Sequence, residues 1–207
     1  KGEPIRLYAA FNERDEAEFV LQRIKDWVAR GGNRRDIAIL YRSNAQSRVF
    51  EEAFLSARIP YKVYGGLRFF ERAEIKDALA YLRLVSNRND DTSFERVVNL
   101  PTRGIGAKSI DTLRERARTD GSSLWSAAQR CIAEGSVGAK GAASLHGFLQ
   151  LIDRLATDTR ELALHEIVDQ VINSSGLLEH HRKEKAERGE ARADNLLELV
   201  SAARGFE

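Results

Sequence analysis

No methionine occurs anywhere in this sequence, cysteine occurs once and proline three times. The lone Cys131 excludes an intrachain disulfide and any cysteine-cluster metal site, and it agrees with a reducing compartment. With no methionine and a lysine at position 1, the chain is expected to be an internal piece of a longer product. No apolar run approaches the roughly 18–20 residues that a membrane-spanning helix needs, and no basic-then-apolar leader opens the chain. A cytoplasmic protein is the expectation. Strong net charge is missing as well: the formal total is +2. That total hides an asymmetry, because residues 1–88 carry 17 Lys+Arg against 12 Asp+Glu and the remainder carries 16 against 19. The chain is therefore not a uniformly basic glove for nucleic acid, and any such contact in the second part needs a local patch.

What is present suffices for a core: 207 residues at 43% hydrophobic content make one large or two small domains. Ile5 to Phe11, Ile37 to Tyr41 and Tyr61 to Tyr64 are short, apolar and partly β-branched, and read as strands. Between them lie two helical patterns. The first is capped by Asn12, carries acidic residues in its first turn, places Val20, Ile24, Trp27 and Val28 at helical spacing, and stops at Gly31-Gly32. The second follows a Ser43/Gln46 capping box, carries Val49, Phe50, Ala53 and Phe54, and stops before Pro60. Strand alternating with helix predicts a partial RecA-like parallel sheet layer over residues 1–88, closed by Gly65-Gly66 and left by a helix with the stripe Ile75, Leu79, Leu82 and Val85. The fold class expected is thus α/β followed by an all-α domain.

The polar stretch Asn87 to Asp91 marks the expected boundary, with a Thr92/Glu95 capping box after it. Residues 89–207 read as helices with helix-hairpin-helix-like turns: Thr92–Asn99, Ala107–Arg118, Ser122–Glu134, Ala139–Ala156, Glu161–Ser174, Leu177–Arg188 and Ala191–Arg204. A short repeat relates Gly106-Ala107-Lys108 and Leu113 to Gly138-Ala139-Lys140 and Leu145. Either two helix-turn-helix units are stacked, or the match is a chance product of common helical punctuation.

Pro101-Thr102-Arg103-Gly104-Ile105-Gly106-Ala107-Lys108-Ser109 carries the most chemical information. A Gly-x-Gly turn that opens a helix lets backbone N–H groups approach a phosphate, and the helix N-terminus adds partial positive charge. From Arg96 to Arg118 there are six basic residues against two acidic ones, which supplies a local patch. Thr102, Arg103, Gly104, Ile105, Gly106 and Lys108 are the candidate duplex-DNA residues; the alternative is an ordinary helix-helix turn with solvated arginines. Gly106-Ala107-Lys108-Ser109 resembles a P-loop only superficially: Ala107 and Thr102 stand where glycines are required, and no Gly-x-x-x-x-Gly-Lys-Ser/Thr occurs anywhere. Arg42, Ser43, Asn44 and Arg48 lie where a strand passes into a helix, a position at which α/β sheets hold ligands. Arg68 and Phe69 sit in a basic-aromatic stretch of the kind that binds single strands. Against both stands the reading of a capped helix in water and a buried aromatic pair. His180-His181 lies in a mixed-charge run and reads as a solvated face; no metal site and no catalytic constellation is evident.

Ala38 to Arg48, Tyr64 to Arg72, Glu74 to Asp77, Asn87 to Asp91, Pro101 to Gly106, Ser175 to Leu177 and Asn195-Leu196 together resemble the UvrD/PcrA/Rep group of superfamily 1A DNA helicases, and its UvrD branch in particular. The resemblance implies that residues 1–88 are part of domain 2A and residues 89–207 most of the mobile 2B insertion. It implies single-strand contacts from Arg42 and Asn44, and a grip on duplex backbone by the Gly104–Gly106 turn with Arg103 and Lys108. For the parent protein it implies ATP and Mg as cofactors, ATP-driven 3′ to 5′ unwinding in DNA repair, DNA junctions and repair proteins as partners, and a nucleoid-associated place in the bacterial cytoplasm. The Walker motifs match nothing here, so the chain by itself is expected to be inactive and to hold no cofactor. A stand-alone helical DNA-binding or repair-protein interaction module without motor activity is the alternative, which the parent reading frame distinguishes.

Overall fold

The computed structural model describes residues 4–64, 66–184 and 187–205. Contacts divide the chain into two compact units, residues 1–71 and 72–207. In the first unit, α1 spans Glu13–Ala29 and α2 spans Ser47–Ser56. Asn12 caps α1, its Oδ1 accepting the Asp15 N–H at 2.9 Å. α1 ends where Gly31 takes a φ of +89°, a region open to glycine at no steric cost. Trp27 folds back over Gly32 and donates its indole N–H to the Asn33 carbonyl at 3.2 Å, which leaves it half-exposed and not in the core. Ala17 and Ile24 of α1 pack with Val49, Phe50 and Phe54 of α2.

The expected sheet is not there. Among the described residues no segment forms a strand, and the described fold is all-helical. The segments read as strands make no ladder: no backbone hydrogen bond among the described residues joins one of them to another. Two of them do alternate, since Ile37, Ile39 and Tyr61 pack on the α1–α2 core while Ala38, Leu40 and Lys62 are exposed; Ile5 to Phe11 is exposed throughout. Alternating burial needs only an extended backbone, whereas a strand needs a partner at about 4.8 Å, and residue pattern cannot supply one. Gly65, expected to help close the last strand, lies outside the described residues.

The second unit is a helical assembly around α3 (Ala73–Ser86), which packs against α4 (Asp91–Val97), α7 (Ala139–Asp158), α8 (Leu164–Ser174) and α10 (Glu187–Arg204). Because neighbours cover several sides, Ile75 is fully buried as expected, but the other fully buried residues of α3 are Ala78, Tyr81 and Leu84, each one position before the expected Leu79, Leu82 and Val85; Leu82 and Val85 are only partly covered. The remaining elements are α5 (Ala107–Asp120), α6 (Leu124–Ala133) and α9 (Leu177–Arg182). Phe94 of α4 anchors the core, edge-on to Phe148 at 5.5 Å and to Trp125 at 6.5 Å. Such pairs contribute about 0.5–1.5 kcal/mol beyond the area they bury.

Polar groups set the register of these helices. Asp90, not Thr92, caps α4: its carboxylate accepts from the Ser93 N–H at 3.0 Å and the Ser93 hydroxyl at 2.8 Å, and these bonds hold its pKa below the ordinary range. Arg88 closes α3 by donating to the Leu84 carbonyl at 2.6 Å, while its guanidinium lies 5.4 Å from the Trp125 ring centre. Between α3 and α10, Asn195 accepts from Arg72 at 2.8 Å and donates to Glu74 at 2.6 Å, all three being buried. His181, expected in a solvated run, is buried instead. Its Nδ1 meets Glu184 at 2.7 Å, and Glu184 is in turn held by Arg192 at 2.8 Å. No helix among the described residues is long and apolar enough to cross a membrane.

Candidate nucleic-acid interface

In the second unit, the turn between α4 and α5 is built from Asn99 outward. Its side-chain oxygen accepts the N–H groups of Arg103 at 2.8 Å and Ile105 at 3.3 Å, folding the intervening chain into a tight bend. Gly104 completes the bend at a φ of +79°, and Ile105 plugs it into the helical core. Gly106 then serves as the N-cap of α5 without any side-chain cap. The consequence is a row of uncommitted donors. The N–H groups of Gly104, Gly106, Ala107 and Lys108 have no protein acceptor among the described residues, and Thr102, Gly104, Gly106 and Lys108 are exposed. A helix N-terminus with free N–H groups and a lysine beside it is electrostatically suited to a phosphate.

Arg103 does something other than face outward. Its Nη1 donates to the Pro101 carbonyl at 3.0 Å and the Val97 carbonyl at 3.3 Å; its Nη2 donates to the Tyr81 hydroxyl at 2.7 Å and the Ser175 carbonyl at 3.0 Å. The guanidinium also lies against the rings of Tyr81 and Phe148 at 5.8 and 5.4 Å. Tyr81 hands its own hydrogen on to the Leu100 carbonyl, and burial pushes its phenol up to about 12 against the opposing pull of Arg103. Arg103 thus holds the turn from behind.

The basic patch is thinner than the residue count implied. Arg96 is bound to Asp77 at 2.6 Å, Arg114 to Glu95 at 2.6 Å and Arg116 to Asp120 at 2.7 Å. Of the six, Lys108 and Arg118 have no carboxylate partner among the described residues and are exposed. A cation overlooked in the sequence joins them. The first turn of α7 lies against the first turn of α5: a β-carbon on Gly104 would lie 3.7 Å from Lys140 Cε and 3.8 Å from Ser144 Oγ, and one on Gly141 would lie 3.0 Å from Ser109 Oγ. The repeated Gly-Ala-Lys strings are therefore neighbours in space, and the repeat was the signal that pointed to Lys140.

In the first unit, the N–H groups of Arg42 and Ser43 both donate to Gln46 Oε1 at 3.0 Å, which is the reach-back expected of the capping box. A single 3-10 turn, Asn44–Gln46, precedes α2, and Arg42 and Asn44 are exposed there. Arg48 is not: it is buried against Glu52 at 2.8 Å and Glu13 at 3.6 Å. Of the adjacent phenylalanines, Phe69 is only 1% exposed and Phe70 is 44% exposed, so the surface ring is Phe70. The cause is Glu51, a buried carboxylate missed in the sequence. It accepts from the Phe69 N–H at 3.3 Å, the Tyr61 hydroxyl at 3.1 Å and the Ser47 hydroxyl at 2.8 Å. Arg68 stays exposed, its guanidinium 5.7 Å from the Tyr61 ring centre.

Comparison with known proteins identifies relatives of the chain. Residues 1–135 match the family model described as UvrD-like helicase C-terminal domain. The chain is 55% identical over 205 residues to DNA helicase II of Escherichia coli (strain K12), covering 99% of this chain and 28% of that protein. It is 53% identical over 206 residues to DNA helicase II of Haemophilus influenzae and 39% identical over 206 residues to the ATP-dependent DNA helicase PcrA of Staphylococcus aureus (strain Mu50), covering 28% of each. The chain thus spans 28% of the length of these relatives.

Proposed function

The chain belongs to the UvrD-like helicase family, and from that premise we propose that it grips and orients DNA for an ATP-driven motor that moves 3′ to 5′ along a single strand. The observation that carries this reading is the Gly104-Ile105-Gly106 turn, with four backbone N–H groups that have no acceptor among the described residues, Lys108 in the first turn of α5 and Lys140 in the first turn of α7. Contacts of this kind engage phosphate without reading bases, which suits a protein that must hold any duplex. Thr102, Gly104, Gly106, Lys108 and Lys140 meet the backbone in this reading; Ile105 and Arg103 act through the turn, by plugging and bracing it. Arg42, Ser43, Asn44 and Arg68 meet the single strand, while Arg48 and Phe69 hold the scaffold behind them.

In the family's terms, residues 1–88 are assigned to domain 2A and 89–207 to the 2B insertion; α3, which packs with the second unit, is where this division differs from the compact units. ATP and Mg serve the whole helicase, in the bacterial cytoplasm, with junction DNA and repair proteins as partners. The residues present do not fit ATP: there is no Walker sequence, and Ser109 Oγ is packed against Gly141. The chain alone is accordingly assigned DNA binding without hydrolysis.

Titration of a fluorescent duplex/single-strand junction with the wild-type chain and with a Gly106→Pro, Lys108→Glu variant tests the reading. The φ of −78° at Gly106 accommodates proline, so the change removes one N–H without backbone strain. Weaker binding with a shallower salt dependence supports the turn's role; equal, equally salt-sensitive binding by both proteins overturns it.

A further inference from the structure

The loop from Lys62 to Arg68 is fastened at both ends by one buried carboxylate: Glu51 takes the Tyr61 hydroxyl on one side and the Phe69 N–H on the other. Between these anchors Lys62, Tyr64, Leu67 and Arg68 are exposed. Tyr64 is 82% exposed, and the Lys62 ammonium stands 4.9 Å from its ring centre. Phe70 follows just beyond the second anchor. A large aromatic ring in water buries no apolar surface; the neighbour recorded at its ring is the Lys62 ammonium, and a second exposed cation, Arg68, follows four residues on in the same loop, over the Tyr61 ring. From this we infer that Tyr64 is a base-stacking platform for single-stranded nucleic acid, with Lys62 and Arg68 pairing the flanking phosphates. The argument for that occupant is complementarity: rings match the faces of unpaired bases, cations match the backbone, and any base sequence fits. Exposed Lys62 and Arg68 in the same loop disfavour an apolar protein surface as the occupant.

This inference rests on the DNA-binding reading above and adds a residue that neither the repeat nor the capping box indicates. Tyr64 makes no hydrogen bond within the described residues, so its replacement leaves the Glu51 anchors intact.

The test is fluorescence anisotropy with the whole 207-residue chain, using a 15-residue oligothymidylate and an abasic strand of equal length. Tyr64→Ala is expected to weaken oligothymidylate binding about 5- to 100-fold while changing abasic binding less than about twofold, because stacking needs a base. Tyr64→Phe should restore affinity, and Lys62→Gln should weaken both ligands and flatten the salt dependence. Circular dichroism checks that the variants keep their helix content. Unchanged oligothymidylate binding by Tyr64→Ala, or equal losses on both strands, overturns the platform while leaving the DNA-binding reading intact. Failure of the wild-type chain to bind any DNA overturns both.

Discussion

Replacing Arg103 by lysine separates the two roles this residue can hold. If Arg103 braces the turn, lysine fails: it keeps the charge but loses the planar fork that serves four oxygens, those of Val97, Pro101, Ser175 and Tyr81. A hydrogen bond from a charged donor contributes about 1.5–3 kcal/mol net, and such contributions in one network do not add. An ammonium can retain one or two of the four, so Arg103→Lys is expected to cost about 2–3 kcal/mol and Arg103→Ala about 3–5 kcal/mol. For a domain of this size that lowers the melting midpoint by roughly 4–12 °C and 6–20 °C respectively. Urea unfolding followed by circular dichroism measures the loss. Duplex binding below the unfolding transition, across a salt series, measures the other role. Because Arg103 makes no phosphate contact in this scheme, the slope of log affinity against log salt should stay at its wild-type value in both variants. The reasoning is refuted if Arg103→Ala leaves stability within about 0.5 kcal/mol of wild type while the slope shrinks by about 0.9, the signature of one lost phosphate contact.

Three further expectations follow from close approaches and burial. At Gly189 a β-carbon would come 2.5 Å from the His181 carbonyl oxygen and 2.7 Å from that of Glu184, so Gly189→Ala should destabilise by about 1–3 kcal/mol in urea; helix propensity alone gives the opposite sign, and a stabilised variant would disprove the packing argument. At Gly32 a β-carbon would fall 2.1 Å from Trp27 Nε1, so Gly32→Ala should expel the indole and shift part of the tryptophan emission to the red, with buried Trp125 as the unshifted component; an unaltered spectrum would count against it. Tyr81, whose folded pKa of about 12 lies above the ordinary 10.0, stabilises the fold fully below pH 10 and progressively loses that contribution as pH rises toward 12, a total of about 2–3 kcal/mol. Absorbance at 295 nm should show one late-ionising tyrosine that is missing in Tyr81→Phe.

The sequence by itself determined most helices of the second unit, their glycine punctuation and the Gly-x-Gly turn, because these are local matters; the expected Leu177–Arg188 helix instead ends at Arg182, and the next begins at Glu187. Asn12 caps within four residues, Gly31 and Gly104 supply positive φ, and 3.6-residue periodicity is written into consecutive side chains, although the residue pattern puts the cap of α4 at Thr92 and it stands at Asp90. The motifs around Arg42 and Gly104 also sufficed to reveal the family. Partnership was decided only by the tertiary structure. Ile37, Ile39 and Tyr61 alternate as a strand does, yet no described backbone pairs with them, since a ladder is a property of two segments and a pattern belongs to one. The same distinction applies to charge. Arg48, Arg103 and Arg114 look alike in a sequence, but each is engaged by oxygens brought near from elsewhere in the chain, Glu13, Ser175 and Glu95 among them, and only Arg114 stays exposed. Lys140, thirty-six residues from Gly104 in the chain, came beside the Gly104 turn only when the start of α7 packed near the start of α5. Side-chain identity fixes what a group can bind, and the fold fixes which groups are left free to do so.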